Sequence, residues 1–175
     1  SFPTRRSSDL YTLERLLKNK KLAKRYLGGY AVILRLTVDD YHRYCYVADG
    51  EKSPEVKIPG VFHTVNPAAN DVCQIYHENT REYCLLKTEQ FGTIAMMEVG
   101  AMMVGKITNL KPGACEVKKG EEKGYFEFGG STIVLLLQHG KVRMDSDLIE
   151  NSENGYETIV RMGERIGKCK LPKRA

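Results

Sequence analysis

The chain has 175 residues, 42% of them hydrophobic, which is enough for one domain with an apolar core and too few to lead us to expect two. Its formal net charge is +5 at pH 7, a modest basic excess that helps a protein find an anionic surface, whether lipid or nucleic acid. No arginine-rich run or alternation of aromatic and basic residues favours nucleic acid, so we expect no such partner. No apolar run approaches the roughly 18 residues that a membrane-spanning helix needs.

The five cysteines are odd in number, widely spaced and without a CxxC pair, a pattern that favours reduced thiols over a disulfide scaffold or a zinc site. Residues 1–10, SFPTRRSSDL, resemble the translation of a sequencing adapter, and we exclude them from reasoning about the fold. We expect residues 11–175 to form a single domain and a further N-terminal part of the protein to precede it.

The N-terminal pattern predicts one amphipathic helix over residues 12–27, TLERLLKNKKLAKRYL, because its leucines recur at approximately helical spacing. Thr12 is a candidate N-cap, and Gly28 and Gly29 are a stop signal. Residues 30–38, YAVILRLTV, are typical of a buried strand, and a turn follows them.

Beyond residue 43 the pattern is a succession of short strands separated by turn signals. The apolar or alternating runs are, in order, EVKIPGVFHTV, REYCLLKT, TIAMMEV, AMMVGKITNL, KGYFEF and STIVLLL. Short strands at a spacing of roughly 8–12 residues predict a barrel or sandwich of antiparallel strands. With the N-terminal helix, this gives an α+β, mainly β fold. The tail, GYETIVRMGERIG, is a candidate for a last edge strand.

Two glycines, Gly129 and Gly130, separate the runs KGYFEF and STIVLLL. A glycine inside a strand costs roughly 0.5–1 kcal/mol relative to alanine, because the flexible chain loses more entropy on ordering. One interpretation is a turn or β-bulge, which glycine permits. The other is a strained peptide bond between Gly130 and Ser131, whose carbonyl the Ser131 hydroxyl attacks.

The second interpretation leads to a definite chemistry. Once a base has taken its proton, Ser131 Oγ can attack the Gly130 carbonyl and shift the acyl group from nitrogen to oxygen. The ester can then undergo β-elimination to dehydroalanine, which hydrolyses to a pyruvoyl group. Glycine at position 130 leaves the carbonyl open to attack because it has no Cβ. The serine would become a carbonyl cofactor.

Four motifs occur in one order along the chain: DDYHRY, FHTVNP, EVGAMMVGKI and KGEEKGYFEFGGSTIVLLL. Together they resemble the phosphatidylserine decarboxylase family, and the resemblance runs from about residue 11 to the C-terminus. It implies self-cleavage into a β chain that ends at Gly130 and an α chain, residues 131–175, that begins with a pyruvoyl group made from Ser131. The pyruvoyl carbonyl would form a Schiff base with the amine of phosphatidylserine and act as an electron sink for loss of CO₂, leaving phosphatidylethanolamine.

The resemblance also implies roles for two histidines. His42 matches a family histidine close to the pyruvoyl group, as the base for processing or as the proton donor after decarboxylation; the alternative is a structural turn histidine. Many relatives carry a second histidine, part of the processing relay, where this chain has Cys45. His63 is a candidate replacement or a plain strand histidine. In relatives, the aspartate of the processing relay lies at a position that would precede residue 1 of this chain.

The segment of Thr64, Val65 and Asn66 matches one that relatives place near the polar headgroup of the substrate, where backbone N–H groups could hold an anion. Its alternative is an ordinary strand end. Tyr41 and Tyr44 are either lipid-facing or partly buried.

The resemblance implies a peripheral enzyme on the cytoplasmic face of the cell membrane, with phosphatidylserine and the anionic membrane surface as partners. Two other interpretations stay open. One is a barrel-sandwich carrier module of the biotinyl or lipoyl type, although no lysine here lies in the tight hairpin that such modules modify. The other is a pyruvoyl enzyme for a soluble amino acid, against which the DYH and TVNP motifs favour the lipid family.

Overall fold

The computed structural model describes residues 12–37, 39–60, 79–100, 106–127 and 131–170. Within these ranges, antiparallel strands form a seven-stranded sheet, here the main sheet, a three-stranded sheet, here the small sheet, and a two-stranded ribbon. Short helices cover the face of the main sheet that points away from the small sheet. The predicted α+β, mainly β class is confirmed.

The helical elements are α1 (Leu13–Leu17), α2 (Lys20–Ala23), a 3₁₀ turn (Lys24–Tyr26) and α3 (Ser146–Glu153). The strands are β1 (Tyr30–Leu36), β2 (Arg43–Cys45), β3 (Gly50–Lys52), β4 (Val56–Ile58), β5 (Arg81–Thr88), β6 (Gly92–Val99), β7 (Lys106–Asn109), β8 (Cys115–Val117), β9 (Glu122–Glu127), β10 (Ser131–Leu137), β11 (Val142–Met144) and β12 (Gly167–Cys169).

The prediction of one continuous N-terminal helix is wrong. Lys18 adopts the left-handed conformation, with φ 49° and ψ 29°, and ends α1. Asn19 then begins α2 as its N-cap, because its side chain accepts a hydrogen bond of 2.9 Å from the Leu22 backbone N–H. Thr12 is the N-cap of α1, as predicted. A capping asparagine in the middle of the periodic run divides it into two short helices.

Strand β10 lies inside the main sheet, whose order is β1-β10-β6-β5-β3-β8, with β4 also paired to β5. Its pairing with β1 runs from Tyr30 and Leu137 to Leu36 and Ser131, and it pairs with β6 on its other side. In the described part of the chain, β1 and β8 pair with no further strand on their outer edges. The main sheet is therefore open, and the barrel half of the barrel-or-sandwich prediction is not observed.

Side chains of β10 alternate between two apolar clusters. Ile133, Leu135 and Leu137 pack in the cluster between the main and small sheets. Val134 and Leu136 pack in the cluster beneath the helices. Because the strand is buried on both faces, it is apolar at every position from Ile133 to Leu137 rather than at alternate ones. Burying each of these side chains contributes roughly 1.5–3 kcal/mol.

A buried ion pair joins the two sheets. Lys123 Nζ on β9 lies 2.8 Å from Glu98 Oε2 on β6, and neither side chain is exposed. Lys123 also donates to Asn109 Oδ1 at 2.7 Å and lies 3.2 Å from Glu55 Oε1. Asn109 Nδ2 donates to Glu82 Oε2 at 3.0 Å and to Glu98 Oε2 at 3.4 Å. Glu82 and Glu98 stand opposite each other on β5 and β6, so these donors offset a like-charge contact.

Burial controls the ionisation of the pair. Loss of hydration raises the pKa of Glu98 to about 7, although Lys123 opposes the change. Burial is the largest single influence on Lys123 and disfavours its charged form, but Glu98, Cys84 and Glu55 together outweigh it, and the pKa of Lys123 lies above its ordinary value. The ammonium group therefore keeps its proton while its partner titrates near neutral pH.

Two C-terminal features differ from the predictions. α3 was not expected, because its sequence SDLIENSE is mostly polar and none of its residues is buried. The predicted tail strand forms only at its end, where β12 pairs with β11. Residues 155–166, here the strap, have no regular secondary structure. Among the helices in the described ranges, none is both long and apolar enough to cross a bilayer.

We predict that Lys123→Met lowers the free energy of unfolding by about 3–5 kcal/mol, because it leaves Glu98 buried without its cation. Urea denaturation measures the change. The matched control is Lys118→Met, which removes an exposed lysine that lies 3.4 Å from Asp49 and should change stability little. Equal effects of the two substitutions would contradict the assigned importance of the buried pair.

Candidate active site

Two of the connections between the main sheet and the small sheet lie next to each other. Residues 37–42 connect β1 of the main sheet to β2 of the small sheet, and residues 128–130 connect β9 of the small sheet to β10 of the main sheet. Because β1 pairs with β10 and β2 pairs with β9, the ends of the two connections lie side by side. Gly129 and Gly130 lie outside the described residues; the strands before and after them, β9 and β10, belong to different sheets.

Backbone contacts fix both ends of the connection that carries the DYH motif. At the main sheet, Leu36 is the Cα partner of Ser131. At the small sheet, the Phe126 N–H donates to the His42 carbonyl at 2.9 Å. Gly130 lies outside the described residues, and Ser131 is described through its backbone partners. The topology therefore brings His42 to the connection that contains the predicted cleavage point.

Asp40 organises the turn before His42. Its Oδ2 accepts hydrogen bonds from the Thr37 backbone N–H at 2.6 Å and from Thr37 Oγ1 at 2.9 Å. The Asp40 N–H returns a bond of 3.0 Å to the Thr37 carbonyl. These donors, the backbone N–H first, hold the pKa of Asp40 below its usual range. An ionised Asp40 therefore closes the turn at neutral pH.

The contacts of the His42 imidazole favour one protonation state. His42 Nδ1 lies 2.6 Å from the Asp40 carbonyl oxygen, which can only accept a hydrogen bond, so Nδ1 carries the proton. In the neutral ring, Nε2 then keeps its lone pair. Nε2 is buried and has no hydrogen-bond partner among the described residues. A buried nitrogen with a free lone pair is the arrangement that a general base requires.

Cys45, in the position of the second family histidine, faces away from the core. Its neighbours Tyr44 and Tyr46 are buried between the sheets, and the alternation of a strand turns Cys45 to the other face. Its Sγ lies 3.9 Å from Met162 Sδ on the strap. The structure thus gives this thiol a sulfur neighbour and, in the described part of the chain, no base.

Thr132 is a candidate that the sequence analysis did not identify. Its side chain is fully buried, and its Oγ1 has no hydrogen-bond partner within the described ranges. Leaving a buried hydroxyl unpaired costs about 1–3 kcal/mol, so such a group is typical of a binding site. Thr132 directly follows Ser131 in the segment GGST, residues 129–132, and this position is the sequence signal that could have identified it. By itself, a threonine in a strand is ordinary.

The other predicted site residues lie in the range 61–78 and therefore outside the described residues: His63, Thr64, Val65 and Asn66. Their roles stay predictions. Within the described ranges, no group of three or more histidine, cysteine, aspartate or glutamate side chains is placed to hold a metal ion.

We predict that neutral His42 is the Nδ1–H tautomer, because its Nδ1 faces a carbonyl oxygen. Nitrogen-15 chemical shifts of the neutral imidazole distinguish the two tautomers. His139, whose Nδ1 lies 2.6 Å from the Gly28 carbonyl oxygen, is an internal reference that should show the same form. If His139 showed the Nδ1–H form but His42 the Nε2–H form, His42 Nε2 would have no lone pair to accept a proton, and His42 could not be the proposed base.

Comparison with known proteins identifies the family of the chain. The family model for phosphatidylserine decarboxylase matches residues 5–168. The chain is 48% identical over 161 residues to phosphatidylserine decarboxylase proenzyme 2 of Clostridium acetobutylicum, covering 92% of this chain and 55% of that protein. It is 48% identical over 161 residues to the phosphatidylserine decarboxylase proenzyme of Fusobacterium nucleatum, covering 91% of this chain and 54% of that protein. The chain spans about half the length of these relatives. On this evidence, the chain belongs to the phosphatidylserine decarboxylase family.

Proposed function

We propose that this chain is the catalytic part of an enzyme that cleaves itself between Gly130 and Ser131 and then decarboxylates phosphatidylserine to phosphatidylethanolamine. The observation that carries the proposal is the buried Nε2 of His42, which has no hydrogen-bond partner among the described residues and lies on the connection whose ends adjoin β9 and β10. The name proenzyme, given to the relatives, supports a chain that is processed.

Self-cleavage would use the residues of the chain itself. His42 Nε2 takes the proton of Ser131 Oγ, and the oxygen attacks the Gly130 carbonyl carbon. The bond from that carbon to the Ser131 nitrogen breaks, and the nitrogen receives the proton from the imidazolium. A base then removes the Cα proton of residue 131, the Gly130 carboxylate leaves, and dehydroalanine remains. Water converts it to the pyruvoyl group and releases ammonia. His63 is the second candidate base.

The described residues fit a pyruvoyl group at position 131. When present, such a group supplies the electron-withdrawing carbonyl that loss of CO₂ from an amino acid requires. His42 Nε2, near the start of β10, is a buried polar atom without a partner among the described residues. His42 would hold the proton that the product carbon receives. Thr132 Oγ1 is also buried without a described partner, but the alternation of β10 turns it to the helix-covered face with Val134 and Leu136, so no role in binding the substrate is assigned to it.

We further propose that the enzyme works as a peripheral protein on the cytoplasmic face of the cell membrane. A substrate with two acyl chains stays in the bilayer, so the enzyme has to meet the headgroup at the surface. The formal charge of +5 supports attraction to anionic lipid, although at this size it would be weak alone.

We expect Ser131→Ala to remain one uncut chain without decarboxylase activity, because alanine has no hydroxyl to attack Gly130. Intact-mass spectrometry of the full chain should show two products for the parent protein, the smaller with a pyruvoyl group at its N-terminus. The control Ser152→Ala changes an exposed serine of α3 and should be processed normally. Normal cleavage of Ser131→Ala would refute self-processing at this bond.

A second pair of variants distinguishes His42 from Cys45 as the base for self-cleavage. His42→Ala should slow cleavage by roughly 10²–10⁴-fold, the usual contribution of a general base. Cys45→Ala should cleave at the parental rate, because its thiol faces the strap. A time course of chain separation on a denaturing gel measures both rates. The reverse result would assign the base to Cys45.

A further inference from the structure

Four large side chains around the DYH connection are exposed although they are apolar or aromatic. Tyr41 is 69% exposed, Tyr156 71%, Ile159 91% and Met162 67%. Tyr41 belongs to the connection, and the other three belong to the strap. Single exposed apolar residues are normal, so the meaning of these four depends on whether they lie together.

Two contacts place the strap next to the connection. Glu157 accepts two hydrogen bonds from the Arg35 guanidinium, at 2.8 and 2.5 Å, near the end of β1. Met162 approaches Cys45 at the end of β2. The strap is therefore attached on both sides of residues 37–42. We call the four side chains Tyr41, Tyr156, Ile159 and Met162 the apolar rim.

The charges near the apolar rim are of both signs. Glu157 is paired with Arg35, and Glu122 is paired with Arg43. Arg161 is exposed, and its backbone N–H donates to the Glu164 carboxylate at 2.8 Å. Ionised Asp40 directly precedes Tyr41, so charge by itself does not select an anionic surface, and the apolar side chains carry the argument.

We propose that the apolar rim is a membrane-contacting surface that inserts into the interface of a bilayer containing phosphatidylserine. This inference rests on the proposed function, because a bilayer-bound substrate requires the site to face the lipid. Tyrosine is favoured at the boundary between headgroups and acyl chains, and exposed isoleucine and methionine gain by leaving water there. The rim borders the connection that carries His42, so insertion brings the candidate active site to the headgroup level.

The test uses the full chain and vesicles of phosphatidylcholine with a minor fraction of phosphatidylserine. Flotation of the double variant Ile159→Asn/Met162→Asn should show a partition coefficient about tenfold or more below that of the parent. The matched control is Leu27→Asn, since Leu27 is 64% exposed but lies beyond Tyr30, at the end of β1 away from Leu36. It should bind as the parent does. High salt should weaken parental binding only in part, because apolar contact is not screened.

Activity distinguishes failure of the surface from failure of the proposed function. For the double variant, the ratio of decarboxylation of vesicle lipid to decarboxylation of monomeric short-chain phosphatidylserine should fall about tenfold, in line with the lost partition. A double variant that floats like the parent overturns the surface. If the double variant floats less well than the parent, and neither the parent nor any variant decarboxylates either substrate, the proposed function is rejected and the membrane-contacting surface stays supported. If the parent is a dimer, the double variant is a monomer and the two float equally well, the apolar rim is a contact between copies of the chain.

Discussion

The ion pair between Lys123 and Glu98 fixes how the two sheets meet. With no access to water, Glu98 without Lys123 would be a buried carboxylate without its cation, and Lys123 without Glu98 would keep only Glu55 as an anionic neighbour, at 3.2 Å. The pair ties β9 to β6, and β6 is the strand beside β10. A buried polar contact between the sheets therefore helps to hold β9 and β10, the strands on either side of residues 128–130.

The candidate site is a product of pairing between distant segments. β1 and β10 lie about a hundred residues apart in the chain, yet their register sets Leu36 opposite Ser131. The register of β2 on β9 does the same at the other end of the connection. His42 thus lies on a connection whose two ends are held by paired strands of the two sheets. The turn closed by Asp40 lies between these ends.

Local patterns predict the strands well: the run REYCLLKT is β5, and STIVLLL is β10. They do not predict where polar side chains are buried, because burial of Lys123 depends on Glu98 from another strand. The glycine pair pointed to Ser131, and the family resemblance added His42. The tautomer of His42, the Thr132 hydroxyl without a partner among the described residues and the outward thiol of Cys45 depend on contacts that no spacing in the sequence encodes.

The interior position of β10 has a consequence for the order in which the protein folds and is cut. If the chain is cut before Ser131, the new α chain begins with a strand that is paired on both edges and buried on both faces. Its release would open the main sheet in the middle, so dilution cannot separate the two pieces. Once denatured, however, they no longer share a covalent link, and refolding becomes a bimolecular reaction that slows as the protein is diluted. Folding first and cutting second is then the efficient order, and the uncut precursor is the form that has to find the fold.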